Sequence, residues 1–232
     1  MASVAENLAR VRERIAVAAG RAGRDVGGVR LVAVSKTHPA SAVREALAAG
    51  QREFGESRVQ EALPKIAEAG DGPEWHFIGH LQTNKVRKAV GRFALFHGVD
   101  NEGLAAALNR VAGEFGMVAR VLLEVNVSGE GTKFGFAPEG VEGVLEGLLQ
   151  MPFLRVEGLM AMAPYSEDPE SARPVFAGLR ELRDRLAGAT GAALPELSMG
   201  MSGDFEQGIA EGATIVRVGA AVFGERARGG GE

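Results

Sequence analysis

The sequence predicts an α/β fold, a single (β/α)8 TIM barrel with an extra N-terminal helix, forming one domain over residues 1–232. Three observations carry that expectation. Eight short β-rich runs alternate with helical patterns, and each strand and helix pair takes roughly 25 to 30 residues, the size of a βα unit. No Pro/Ser-rich linker and no shift in composition divides the chain, and eight alternating units select a closed parallel barrel. The rival, a doubly wound open sheet, carries a glycine-rich dinucleotide fingerprint after its first strand. This chain has Ser35-Lys36-Thr37-His38-Pro39 there instead.

The first element is a helix. Ser3 followed three residues later by Glu6 reads as a capping box, and Leu8, Val11, Ile15 and Ala18 continue at helical spacing toward Gly20. The strands are expected at Val29–Ser35, Arg52–Glu56, Trp75–Gly79, Leu95–Val99, Arg120–Val127, Arg155–Met160, Glu196–Met199 and Thr214–Val218. Between them, helices are expected over Ala40–Ala49, Arg58–Ala69, Asn84–Val90, Glu102–Phe115, Pro138–Leu149, Ser171–Leu186 and Phe205–Glu211. Trp75 and Phe77 alternate with His76, which predicts that the two aromatics pack in one layer while His76 faces the other. The glycine-rich tail, residues 226–232, is expected to be disordered.

Composition excludes several classes of function. With 46% apolar residues the chain can bury one large core. A formal charge of -4, from 26 basic and 30 acidic residues, gives no electrostatic basis for broad nucleic-acid binding. Cysteine is absent, which removes disulfides, thiolate metal sites and thiol nucleophiles together. Of the four histidines only His76 and His80 are closely spaced, and on a strand they lie too far apart to share a metal readily. The charged start, with Glu6, Arg10, Arg12, Glu13 and Arg14, is not expected to act as a signal peptide. No uncharged apolar window reaches membrane-spanning length. A soluble, cytoplasmic protein is therefore expected, and a monomer is the expected state, though nothing in the composition fixes it.

In such a barrel the reactive face is the C-terminal rim of the strands. Strand one ends at Lys36, strand two at Glu56-Ser57-Arg58, strand three at His80, strand five at Asn126-Val127-Ser128 and strand six at Met160 to Met162. A lysine held near apolar walls has its charged form disfavoured, so more of it is the neutral amine that attacks an aldehyde. The plain alternative is a solvated charge marking a strand end. Strand seven runs into Ser198-Met199-Gly200-Met201-Ser202-Gly203-Asp204, and strand eight into Arg217-Val218-Gly219-Ala220. Loops seven and eight of barrels often hold phosphate. Gly219 and Ala220 have no side chain large enough to block an anion, and the Ser202 hydroxyl adds a donor. The same glycines serve equally to make tight turns. Arg217 among Ile215, Val216 and Val218 must either pair with an acid or point at a ligand. Facing a pyridine nitrogen, it would keep that nitrogen unprotonated and the ring a poor electron sink. An aldehyde-capturing lysine opposite a phosphate cradle is what pyridoxal 5'-phosphate (PLP) requires.

Six ordered blocks then carry a resemblance over nearly the whole chain. They are Ala33-Val34-Ser35-Lys36-Thr37; Phe54-Gly55-Glu56 with Val59-Gln60-Glu61; Trp75-His76-Phe77-Ile78-Gly79 with Leu81-Gln82 and Asn84-Lys85; Gly158-Leu159-Met160-Ala161-Met162; Leu197-Ser198-Met199-Gly200-Met201-Ser202; and Val216-Arg217-Val218-Gly219 with Phe223-Gly224. The sequence resembles the YggS/PROSC family of pyridoxal phosphate homeostasis proteins. The resemblance implies a barrel like the N-terminal domain of bacterial alanine racemase, with PLP bound as a Schiff base to Lys36. It further implies that Ser202 and the backbone of Gly219 and Ala220 hold the phosphate, and that Arg217 faces the pyridine nitrogen. Met201, Ser57 and Asn126 complete the expected cofactor-binding set. Family members are regarded as cytosolic carriers or regulators of PLP that influence amino-acid and keto-acid balance, with no established catalytic activity; apo PLP-dependent enzymes are the implied partners. The chain departs from the family pattern at Ser57, where Asn is usual, and at Ala220, where Thr is frequent.

Two enzymatic readings compete. A racemase needs a second base opposite Lys36, and the single tyrosine, Tyr165, falls in the loop after strand six. A Schiff-base aldolase would use the lysine on a carbonyl substrate directly. Lys133, in the loop after strand five, is either a secondary PLP contact or a solvated lysine, and Lys85, Arg87 and Lys88 are expected on an exposed helical face.

Overall fold

Ser3 starts the first helix as the capping box predicts. In the computed structural model, which describes residues 2–131 and 134–224, the Ser3 hydroxyl accepts from the Glu6 N–H at 3.2 Å and Glu6 Oε2 accepts from the Ser3 N–H at 2.8 Å. The helix, α1 (Val4–Arg21), buries Leu8, Val11, Ile15 and Ala18. That face packs against α8 (Phe205–Ala210) and α9 (Ala220–Phe223). Both are short, so α1 fills the place in the outer ring that they leave open, and the Asn7 amide ties it down by donating to the Val222 carbonyl at 2.8 Å.

The strands β1 (Arg30–Val34), β2 (Glu53–Glu56), β3 (Glu74–Phe77), β4 (Leu95–Val99), β5 (Ala119–Glu124), β6 (Leu154–Met160), β7 (Glu196–Ser198) and β8 (Ile215–Val218) form a closed barrel in sequence order. β1 closes it, pairing in parallel with β2 through Ala33↔Phe54 and with β8 through Val32↔Arg217. The connecting helices are α2 (Ala40–Ala48), α3 (Val59–Ala69), α4 (Val86–Ala89), α5 (Glu102–Glu114), α6 (Val141–Leu149) and α7 (Arg173–Thr190).

Alternation along each strand sorts residues into two layers. Outward residues such as Ala33, Phe54, Trp75, Phe77, Val121 and Val216 join the helices in the main core. There Phe54 and Trp75 lie 5.6 Å apart between ring centres, and Phe77 meets Phe93 edge-on at 5.1 Å. Inward residues Val32, Leu95, Leu122, Met160 and Ile215 make a small apolar cluster inside the barrel. His76 is fully buried on the inward side, so the predicted split between the two aromatics and His76 is found. Below it the barrel's N-terminal end carries charge, with Arg30 paired to Glu53 at 3.4 Å and to Glu196 at 2.9 Å.

Element boundaries depart from expectation where tertiary contacts decide them. β5 stops at Glu124, three residues short of Val127, because the returning loop docks there: Phe136 N–H donates to the Glu124 carbonyl at 2.8 Å and Asn126 N–H donates to the Phe136 carbonyl at 3.0 Å. α4 is a single turn preceded by a 3-10 turn over Thr83–Lys85. α7 runs on to Thr190 and ends at Gly191, whose φ of 69° suits a left-handed C-terminal cap. The β5/β6 register shifts near Gly158, where a Cβ would sit 1.9 Å from the Glu196 carbonyl oxygen. Only glycine lets β6 and β7 approach so closely. No helix among the described residues is long and apolar enough to cross a membrane. Lys133 and the 226–232 tail lie outside the described residues.

Candidate functional site

The C-terminal ends of the strands open into a cavity of about 690 Å³, a size typical of small-molecule sites. Seven of the eight residues singled out from the sequence line it: Lys36, Ser57, Met201, Ser202, Arg217, Gly219 and Ala220. Asn126 does not. Its side chain serves its own loop, the amide donating to the Glu130 carbonyl at 2.8 Å and Oδ1 accepting from the Ser128 hydroxyl at 3.2 Å.

Lys36 is half-buried, directly beyond β1, and its loop is held from behind by charged groups. Ser35 is fully buried, and its hydroxyl donates to Glu56 Oε1 at 2.7 Å. The Lys65 ammonium, from α3, reaches the same carboxylate oxygen at 2.6 Å and the Ser35 carbonyl at 2.8 Å. Glu61 accepts from the Thr37 N–H and also from Lys65 at 3.3 Å. Thr37 takes a φ of 69°, a left-handed conformation rare for a β-branched residue. Thus the backbone on both sides of Lys36 is fixed by Glu56, Glu61 and Lys65. Burial pushes the Glu56 carboxyl above its usual range, and the hydrogen bonds from Lys65 and Ser35 oppose that rise.

Across the mouth, Gly219 directly follows β8. A Cβ there would come within 3.2 Å of the Val34 carbonyl oxygen, so the seam between β8 and β1 adds its own reason for a residue without a side chain. The Ser202 hydroxyl accepts from the N–H groups of Gly219 at 3.2 Å and Ala221 at 3.4 Å. Asp204 Oδ1 accepts from the Met201 N–H at 2.6 Å, which shapes the β7 loop around that serine.

Arg217 lies 4% exposed at the cavity floor. The sequence reading offered it an acid or a ligand; the structure shows neither an ion pair among the described residues nor an unpartnered guanidinium. Nη1 donates to the Ser198 hydroxyl at 2.6 Å and Nη2 to the Ala161 carbonyl at 3.1 Å. Burial lowers its pKa to about 10, with Glu124 and Asp204 opposing, so the side chain keeps its charge at neutral pH.

Several contributors escaped the sequence reading. Lys65 stands four residues after Glu61, a spacing that signals a surface ion pair, and nothing local announces its burial. The loop after β6 adds Tyr165, Ser166, Asp168 and Ser171 to the cavity wall, with no motif to mark them. His80 is turned away to Asp100, at 2.6 Å, and stacks on Phe134. His76 and His80 do not converge; His76 instead shares the N-terminal end of the barrel with Glu53 and Glu74, their ligand-type atoms lying within 4.8 Å of one another.

The geometry has clear counterparts among known proteins. Residues 7–227 match the family described as alanine racemase, N-terminal domain. The chain is 49% identical over 222 residues to the pyridoxal phosphate homeostasis protein of Aquifex aeolicus, covering 95% of this chain and 97% of that one. It is 48% identical to the protein of that name from Pseudomonas aeruginosa, with 97% of each covered. The solved structure of PipY of Synechococcus elongatus with PLP bound superposes with a TM-score of 0.85 at 41% identity, covering 96% of this chain and 100% of that chain. Barrel, cavity and sequence agree, and the chain belongs to the family of pyridoxal phosphate homeostasis proteins, built on the alanine racemase N-terminal domain.

Proposed function

We propose that this protein binds PLP reversibly, holding it as a Schiff base on Lys36, and serves intracellular supply of the cofactor rather than turnover of a substrate. The observation that carries the reading is the meeting of three complementary groups in one cavity: a lysine amine, backbone N–H groups gathered around a serine hydroxyl, and a buried guanidinium. These donors match an aldehyde, a phosphate and a ring nitrogen in turn. When bound, PLP would supply an electrophilic aldehyde, and the Lys36 amine is the nucleophile that would hold it, with water as the leaving group. Ser202 with the backbone at Gly219 and Ala220 receives the phosphate, and Met201 and Ser57 bound the ring's space. Arg217 faces the ring nitrogen and, as an obligate donor, keeps it unprotonated. That arrangement favours capture over carbanion chemistry. The departures at Ser57 and Ala220 remove side-chain contacts and leave the backbone ones in place.

A racemase would need a second base held opposite Lys36. Tyr165 borders the cavity but is 94% exposed, so no packing holds it in such a position. In a cytoplasmic carrier role the reversibility of the imine is the useful property, and release to apo PLP-dependent enzymes would influence amino-acid and keto-acid balance. The test is an absorbance titration of the purified protein with PLP. A yellow band is expected with wild type and none with Lys36→Ala of unchanged circular dichroism. A band that survives in the variant moves the site to another lysine.

A further inference from the structure

A chain of buried polar groups runs through the barrel from the cavity to its opposite end. Arg217 on β8 meets Ser198 on β7 at 2.6 Å, Ser198 meets His97 Nδ1 on β4 at 2.8 Å, and His97 Nε2 meets His76 Nδ1 on β3 at 2.9 Å. His76 Nε2 lies 3.5 Å from Glu74 Oε1 at the N-terminal end, without the alignment of a hydrogen bond. Ser198, His76 and His97 are all fully buried. Nothing in the binding role above uses the two histidines.

The chemistry of the groups gives this chain a direction. Arginine has no acceptor, so Nη1 must donate to Ser198. The serine has one hydrogen, and the acceptor in reach is His97 Nδ1; the reverse arrangement would give Ser198 two donors and leave its own hydrogen buried without a partner. His97 therefore carries its proton on Nε2 and donates to His76 Nδ1. His76 in turn carries its proton on Nε2, near the Glu74 carboxylate but not hydrogen-bonded to it. Burial, first, and then repulsion from any proton added to His76 and from the charges of Arg217 and Arg30 push the His97 pKa well below its usual value, which keeps the neutral, directional form.

We infer that Ser198 and His97, backed by His76, are positioning residues that fix the guanidinium of Arg217 and thereby select a ligand ring bearing a hydrogen-bond acceptor. With Nη1 pinned by Ser198 and Nη2 by the Ala161 carbonyl, the planar guanidinium has little freedom to turn, and its remaining N–H groups address the cavity in a fixed plane. A ring nitrogen with a free lone pair accepts from it; a carbon in that place leaves a buried donor unmet, which costs roughly tenfold or more in affinity. The inference rests on the placement of the ring against Arg217 proposed above.

The experiment compares dissociation constants for PLP and for its carbocyclic analogue, in which C–H replaces the ring nitrogen while aldehyde and phosphate remain. Wild type is expected to prefer PLP about tenfold. Ser198→Ala should bring the two ligands close to equal, because the loosened guanidinium no longer discriminates. His97→Phe, which removes the serine's acceptor and keeps a ring of similar size, should act in the same direction and carries the comparison if Ser198→Ala fails to fold. A wild-type preference that persists in a folded variant overturns the inference, even if both affinities drop, and so does a wild type that binds both ligands equally. Failure of wild type to bind PLP at all would instead strike the proposed function. Nitrogen-15 NMR of the histidines in the unliganded wild type reads the direction independently: both Nε2–H tautomers are expected, and an Nδ1–H tautomer at His97 would overturn the chain.

Discussion

Removing the Lys65 ammonium should expose how the loop carrying Lys36 is held. Lys65→Met keeps the aliphatic bulk in α3 and deletes one charge, leaving Glu56, whose side chain is 0% exposed, without its cation. Breaking a buried pair from one side costs about 3–5 kcal/mol, a large share of the roughly 5–15 kcal/mol that holds a domain folded. The pH dependence sharpens the expectation. Glu56 already has a folded-state pKa above 4.5. A raised carboxyl binds its proton more tightly in the folded chain, so stability is greatest below the unfolded value and is lost as pH rises through the folded one. Without Lys65 that folded value climbs further, and the loss extends to higher pH. Urea denaturation of wild type and variant between pH 5 and 8, a range of about three units around neutrality, should therefore show a deficit that is largest at the alkaline end and narrows on acidification. Adding Glu56→Gln should recover much of it. A deficit under about 1 kcal/mol, or one that does not change with pH, would refute the idea that this buried pair organises the loop.

Two further outcomes are expected. Gly158→Ala places a methyl group 1.9 Å from the Glu196 carbonyl, so β6 and β7 must part; a fall in thermal midpoint of several degrees is expected, or loss of soluble protein, and an unchanged melting curve would mean that the seam relaxes freely. Arg217→Ala should weaken PLP roughly tenfold while leaving the yellow band formed at saturation, and equal affinity would remove Arg217 from the site.

The barrel was legible because its information is local. Each strand is a short apolar run and each helix an amphipathic one, so the eightfold alternation stands out even where single boundaries drift. Ends drifted where distant chain decides them, as at β5, whose last residues bind a loop returning at Phe136. Residues just beyond strand ends, such as Lys36, Ser202 and Gly219, were legible for the same reason: their place on the rim follows from the strand that precedes them. Asn126 has the same sequence credentials, yet its amide is taken up by Glu130 and Ser128, a local competition that spacing does not reveal. Lys65, Ser198 and His97 were illegible as partners of the site because each acts across the barrel or from behind it, through contacts between elements far apart in sequence. Tyr165 and Ser166 reach the cavity only by the path of an irregular loop.

The proposed binding of PLP depends most on one covalent bond at one residue. Borohydride reduction of the protein saturated with PLP, followed by digestion and mass spectrometry, locates that bond. A pyridoxyl adduct on the peptide containing Lys36, with the other lysines unmodified, is the predicted result; an adduct on Lys65, Lys85, Lys88 or Lys133 with Lys36 untouched would contradict it.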